Sequence, residues 1–255
     1  MEQTHHFQAD ELTLDKILGG RVSLYQPAKG YRVAIDPVFL AASIPASPAD
    51  TILDVGMGVG AASLCLAARV PGCRIVGLEV QRPIVRLAAQ NIEHNQLKGR
   101  VEVLHGNLMK PPPRLAPSSF CHVMVNPPYF QAAKGTPSPL VTKQTSNALD
   151  QGLSDLKAWV QFSCLMVRPN GTVTFIYPAE FMDQLLVLLY GKLSQLVIYP
   201  LWISEGRTAS RVLIRGTKNN NGNSQLCQGL TLHGRDGKYT DAAESILRNA
   251  HPLVF

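Results

Sequence analysis

The chain reads as an α/β domain built on a doubly wound, mostly parallel, seven-stranded sheet that ends in an antiparallel C-terminal hairpin. Three observations predict this. From Thr51 onward, short apolar runs alternate with helix-length segments, a pattern that calls for parallel strands joined by crossover helices. The first run, Thr51-Ile-Leu-Asp54-Val55, passes directly into glycines at 56, 58 and 60 and then into a helical pattern. The last two runs are joined by a short loop holding Gly206, which suits a hairpin and is too short for a crossover.

Taken in order, Thr51 to Val55 is the first strand, and Ala61 to Val70 the helix opened by the glycine-rich turn. Arg74 to Val80 is the second strand. A helix from about Pro83 to Asn95 follows, with proline favourably placed in its first turn. Val101 to Leu104 and Cys121 to Val125 are the third and fourth strands. Leu153 to Val167 is an amphipathic helix and Thr172 to Tyr177 the fifth strand. A helix spans about Ala179 to Leu193, and Leu196 to Ile203 and Ser210 to Thr217 are the closing hairpin. Pro111-Pro112-Pro113 with Pro117 reads as a stiff surface connector. Residues 131–148, with Gly135, Pro137 and Pro139, read as a long loop that either covers a substrate or merely connects. Lys218 to Ser224 is polar, asparagine-rich and reads as a mobile loop.

At 255 residues and 45% hydrophobic content the chain can bury a sizeable core. Residues 1–48 read as an N-terminal extension packing on a main domain of 49–255. The formal charge of +6 permits a polyanionic partner without requiring one, because 24 basic residues face 18 acidic ones. Five scattered cysteines without C-x-x-C spacing argue against a disulfide framework or a zinc site, and seven unclustered histidines add no metal-ligand pattern. The first residues lack an apolar signal core and no run approaches the length of a membrane span, so a soluble, cytoplasmic protein is expected.

The glycine-rich turn marks a ligand site. Glycines at 56, 58 and 60 let the backbone turn tightly and approach a ligand, and the helix behind them offers N–H groups. Glu79 ends the second strand, where a carboxylate can accept both hydroxyls of a ribose. Gly56-x-Gly58-x-x-Ala61 also satisfies the dinucleotide fingerprint. Asp54 favours another ligand: a carboxylate at the mouth of the turn repels a pyrophosphate and attracts the ammonium and sulfonium of S-adenosylmethionine. After the third strand, Asn107 is placed to accept a hydrogen bond from an adenine amine, while His105 reads as a packed or solvated histidine.

The fourth strand runs into Asn126-Pro127-Pro128-Tyr129. Such a stretch offers an amide oxygen, a rigid backbone carbonyl and an aromatic face to one planar group. A ring-conjugated amine is a poor nucleophile because its lone pair is delocalised. Accepting its two N–H bonds at Asn126 and Pro127 turns that lone pair toward an electrophile, and Tyr129 can stack on the ring.

In order, Gly30-Tyr31-Arg32-Val33-Ala34-Ile35-Asp36-Pro37-Val38-Phe39-Leu40-Ala41, the Asp54-to-Gly60 turn and Asn126-Pro-Pro-Tyr129-Phe130 resemble the tRNA-valine adenine-N6 methyltransferases. The resemblance extends to Ser210-Arg211-Val212-Leu213 and to Leu232-His233 with Gly237-Lys238-Tyr239-Thr240. It implies a class I methyltransferase fold, S-adenosylmethionine as donor, and the adenosine beside the anticodon as acceptor. It also implies that Asp36 helps close the donor pocket; the residue-level alternative is an N-cap for the helix at Val38 to Ala42. The chain departs from the family at Asn107, where Asp is frequent, near Asn147, where a basic residue is frequent, and at Met57 and Val59 in the turn.

Other acceptors fit the tetrapeptide. A protein-glutamine methyltransferase of the release-factor type is one, although a larger helical N-terminal domain is then expected. Ribosomal RNA amine and DNA base methyltransferases are others, and a binding protein that has lost turnover belongs to a different class. A nicotinamide dehydrogenase lacks a recognisable hydride-transfer site here. For a tRNA partner, the candidate phosphate contacts are Arg21, Lys29, Arg32, Lys134, Lys143, Arg207 and Arg211. A monomer or weak dimer without a metal is expected.

Overall fold

This computed structural model describes residues 7–29, 32–128 and 148–255. An antiparallel hairpin comes first, β1 (Leu12–Ile17) with β2 (Val22–Pro27). Next are α1 (Asp36–Ser43), β3 (Thr51–Val55), α2 (Ala61–Arg69), β4 (Arg74–Glu79), α3 (Arg82–His94), β5 (Val101–His105) and β6 (Phe120–Val125). They are followed by α4 (Ala148–Met166), β7 (Val167–Pro178), α5 (Met182–Leu189), β8 (Ser194–Ser204) and β9 (Ala209–Thr217). The last elements are β10 (Gln225–Leu226), β11 (Leu230–His233) and α6 (Asp241–Asn249).

The main sheet runs β5-β4-β3-β6-β7-β9-β8. Strands β3 to β7 are parallel, and β9 is antiparallel to both β7 and β8, as the missing crossover required. All seven expected strands are present. Two short ones, β10 and β11, add to the outer side of β8 and make nine. They escaped a periodicity reading because two to four residues carry too little pattern to stand out from a loop.

Side-chain alternation divides the core into two layers. Ile52 of β3 and Ile176 of β7 pack with α1, α2, α6 and the buried side of α3. Leu53 and Val55 of β3, with Val173 and Phe175 of β7, pack with α4 and α5 on the other face. By the same alternation Asp54 shares the face of Ile52, toward α2. The only interior position of β3 that breaks the apolar pattern therefore points into the first layer.

Three boundaries moved, the first being the start of α4, at Ala148 rather than Leu153. Strand β7 begins at Val167, immediately after α4, rather than at Thr172. After the buried Val167, residues Arg168, Pro169 and Asn170 are exposed and carry no apolar signal, and the pairing with β6 slips between Phe120 and His122. The single helix expected from Ala179 is a 3-10 turn (Ala179–Phe181) followed by α5. It stops at Leu189 because Tyr190 turns extended and Gly191 takes φ +72°.

The hairpin is joined to the main domain by two asparagines four residues apart, Asn91 on α3 and Asn95 at its C-cap. Asn91 Oδ1 accepts from Tyr25 N–H at 2.8 Å, and its Nδ2 donates to the Tyr25 carbonyl at 2.9 Å. Asn95 does the same for Ser23, at 2.9 and 2.7 Å. Side-chain amides at this spacing mimic a neighbouring strand and satisfy the edge of β2. Asn91 Nδ2 also donates to the Val59 carbonyl at 2.9 Å, which ties the hairpin to the glycine-rich turn.

Candidate active site at the C-terminal edge of the sheet

Strands β3, β4, β5 and β6 end at one cavity of about 630 Å³, a size ordinary for a small-molecule site. Parallel strands direct all their C-terminal loops to the same edge, so the glycine turn, Glu79, Asn107 and Asn126 converge there.

The glycine turn adopts the backbone its residues permit. Gly56, Gly58 and Gly60 have φ of +71°, +59° and +98°. The Leu78 carbonyl accepts from both Gly56 N–H and Met57 N–H, at 2.9 and 3.0 Å, which pins the turn to β4. A Cβ on Gly58 would have no neighbour within 4 Å, so the backbone at Gly58 faces open cavity. Met57 is buried and lies across Gly77, where a Cβ would come 2.1 Å from its Sδ. The larger residue in the turn is thus accommodated by a glycine in the neighbouring strand.

Asp54 is buried and accepts a 2.7 Å hydrogen bond from Ser63 Oγ on α2. Burial in this apolar layer, with Glu79 as a nearby like charge, pushes its carboxyl up to about 7 despite the Ser63 bond. Glu79 is also buried; its Oε2 accepts from Gly58 N–H at 3.0 Å and its Oε1 from Gln81 N–H at 2.9 Å. Each oxygen keeps a lone pair for a further donor. Asn107 Oδ1 accepts from Met109 N–H at 2.8 Å, so one of its two acceptor sites holds its own turn. Pro112 packs on Gly106, where a Cβ would lie 2.7 Å from the ring; the proline connector therefore braces this turn as well as spanning the surface. His105 Nε2 sits 3.1 Å from the Val80 carbonyl at the surface.

On the acceptor side, Asn126 is half-buried, Pro127 buried and Pro128 exposed, and all three line the cavity. Tyr129 and the loop at 131–147 lie outside the described residues. Asp36 does not line the cavity, although its neighbour Pro37 does. It is the first residue of α1, with Ile35 at the cap position, and pairs with Arg211 Nε at 2.8 Å.

Residues that periodicity did not single out also line the site. Trp159 and Asp155 of α4, Gln26 and Pro27 of β2 and Met109 at the mouth belong to it. Only Trp159 carried a usable signal, as an aromatic in an otherwise ordinary amphipathic helix. The candidate RNA cations are largely committed elsewhere. Arg21 donates to the Leu18 and Arg248 carbonyls, Arg32 pairs with Asp15 at 2.8 Å, and Arg211 pairs with Asp36. Lys29 and Arg207 are exposed, and Lys134 and Lys143 lie outside the described residues. Among the described residues, no group of three or more His, Cys, Asp or Glu is arranged to hold a metal. No helix there is long and apolar enough to cross a membrane.

Residues 32–152, which include the glycine turn, both carboxylates and Asn126, match the methyltransferase small domain family. The chain carries a methyltransferase domain. The fold of this domain is shared with the crystal structure of a predicted O-methyltransferase from Agrobacterium tumefaciens. That structure superposes with a TM-score of 0.71 at 19% identity, over 86% of this chain and 98% of the other. Two curated relatives are named tRNA1(Val) (adenine(37)-N6)-methyltransferase. The one from Aeromonas hydrophila is 28% identical over 82% of this chain and 86% of its own. The one from Shewanella sediminis is 28% identical over 86% of this chain and 91% of its own. The class I methyltransferase architecture expected from the sequence is therefore present, and these two relatives align with more than four fifths of the chain.

Proposed function

We propose that this methyltransferase uses S-adenosylmethionine to methylate the N6 amine of an adenosine in tRNA, the position beside the anticodon of a valine tRNA. The observation that carries the chemistry is the placement of Asn126-Pro127-Pro128 in one cavity with two buried carboxylates, Asp54 and Glu79. The relatives' names support tRNA over protein glutamine, ribosomal RNA or DNA as acceptor.

The donor half suits its ligand. Buried carboxylates attract a cation and a ribose diol, and the open backbone at Gly58 leaves room for close approach. Asp54 would hold the cationic methionine end through charge and intervening water, and Glu79 the ribose hydroxyls through its remaining lone pairs. Asn107 would receive the adenine amine, and Asp36 would support the pocket from behind Pro37 through its pair with Arg211. When bound, S-adenosylmethionine supplies an electrophilic methyl on a sulfonium, already a good leaving group. The protein's task is then positioning and electrostatics. The Asn126 side-chain oxygen and the Pro127 carbonyl accept the two N–H bonds of the target amine, turning its lone pair toward the methyl. Tyr129 stacks on the ring. As the nitrogen gains the methyl it becomes cationic, and the same two acceptors stabilise the charge before a proton leaves to water. A base held in a stack has to be flipped out to reach Asn126. Exposed Lys29 and Arg207 contribute to phosphate contact. Residues 1–48 serve as an extension packed on the domain of 49–255, and the protein acts in the cytoplasm as a monomer or weak dimer without a metal.

Incubation with isotopically labelled donor and total tRNA, followed by nucleoside analysis, tests this reading. Label in N6-methyladenosine is expected. Label in protein glutamine with none in RNA would overturn it.

A further inference from the structure

We propose that Trp159 is a further positioning residue for the reaction, an aromatic wall against which the target base lies while Asn126 holds its amine. This inference rests on the acceptor reading above.

Three observations lead to it. Trp159 is the only aromatic residue among the described residues that line the cavity. Its helix register is set by Leu156 and Val160, both buried in the layer beneath the sheet. Asp155, Ala158 and Trp159, at i, i+3 and i+4, form the cavity-facing stripe of α4.

The ring's position is given by Gly56. A Cβ there would fall 2.3 Å from Trp159 Cη2 and 2.8 Å from Cζ3, so the benzo edge of the indole rests on the Gly56 backbone. Gly56 in turn lies beside Asn126. The parallel register pairs Val55 with Val125, the last residues of β3 and β6, and Gly56 and Asn126 follow them directly in the chain. Neighbouring strands are about 4.8 Å apart, so Gly56 and Asn126 leave the sheet from adjacent strand ends, and both line the same cavity as Trp159.

The two faces of the sheet separate donor from acceptor. Asp54 reaches Ser63 on α2, in the first layer, whereas Trp159 comes from α4 in the second. A flat ring presented to Asn126 from the α4 side meets the indole, while the donor's charged groups are met from the α2 side. Gly56 therefore has a role besides turning the chain, because any side chain there would displace the wall.

Stacking of a base on an aromatic side chain sets the size of the effect. Replacing Trp159 with Ala should lower kcat/KM for tRNA by about 10- to 100-fold while donor Kd changes less than about twofold. Trp159→Phe, which keeps a flat ring, should recover most of that loss. A W159A variant that weakens donor binding as much as tRNA turnover would assign the ring to the donor and overturn the proposal. So would one that methylates tRNA like the wild type.

A fluorescence measurement serves even if W159A does not fold. The chain has two tryptophans, and Trp202 donates to the Gln228 carbonyl away from the cavity. In Trp202→Phe, Trp159 is the sole tryptophan. Adding a tRNA anticodon stem-loop to the complex with S-adenosylhomocysteine should quench its emission further, whereas a stem-loop lacking the target adenosine should not. Equal quenching by both RNAs, or none by either, refutes the wall. Absence of any methyl transfer to RNA by the wild-type protein would instead count against the acceptor reading itself.

Discussion

Asp54→Asn should make this protein more stable and its donor site weaker. In the folded chain the Asp54 carboxyl is raised from 3.8 to about 7, chiefly by burial, with Glu79 nearby adding to the shift. The native state therefore holds a proton that the unfolded chain has released across that interval. Stability from this group is fully present below about pH 4 and is lost as pH rises toward 7, then stays level. Three pKa units at about 1.4 kcal/mol each bound the cost at about 4 kcal/mol at neutral pH. Asparagine carries no charge and can still accept the Ser63 hydroxyl bond, so it removes the cost and retains the contact. Urea unfolding of the ligand-free protein should show the variant more stable by up to about 4 kcal/mol at pH 7.5, with the gap closing as pH falls toward 4. Isothermal titration should show weaker binding of S-adenosylmethionine, because the cation has lost its buried counter-charge. A variant no more stable than wild type at pH 7.5, or a gap that does not change with pH, would refute the reasoning.

Three further outcomes follow from the geometry. Asn126→Ala should lower kcat by about 100- to 1,000-fold with donor Kd nearly unchanged, since it removes an oriented acceptor used only by the target amine; single-turnover rates beside donor titration check this. Asn91→Ala should cost about 2–4 kcal/mol in chemical denaturation, because it strands the Tyr25 backbone pair and the Val59 carbonyl at a fully buried position. It should also weaken donor binding by loosening the turn. Gly77→Ala should cost about 1–3 kcal/mol by driving Met57 off its seat, and Met57→Ala in the same chain should return part of that loss, measured as a double-mutant cycle.

The donor half of the site was more legible in the sequence than its surroundings. Glycine spacing and a carboxylate at a strand end are local signals, and a parallel sheet sends every such strand end to one edge. Asp54 could be recognised as an exception to an apolar strand, but its raised carboxyl depends on burial in the packed core and on Glu79 in the next strand, which together outweigh the lowering hydrogen bond from Ser63, nine residues away. The basic residues show the opposite situation. Arg32 and Arg211 look like free surface cations in sequence, yet each is held by a carboxylate 17 and 175 residues distant. Net charge is a property of composition, whereas the availability of a charge is a property of its neighbours.

By itself the sequence determined the parallel sheet, its closing hairpin, the glycine-rich turn and the exit of β6 into Asn126, because periodicity and backbone preference act within a few residues. Only the tertiary structure decided what surrounds them. Asn91 joins hairpin to turn across 66 residues, Met57 requires Gly77, and Trp159 lies on Gly56 from a helix more than 100 residues along the chain. Such contacts leave no repeating pattern to read. They exist because packing brings distant side chains to one place, and at the edge of this sheet that place is the candidate active site.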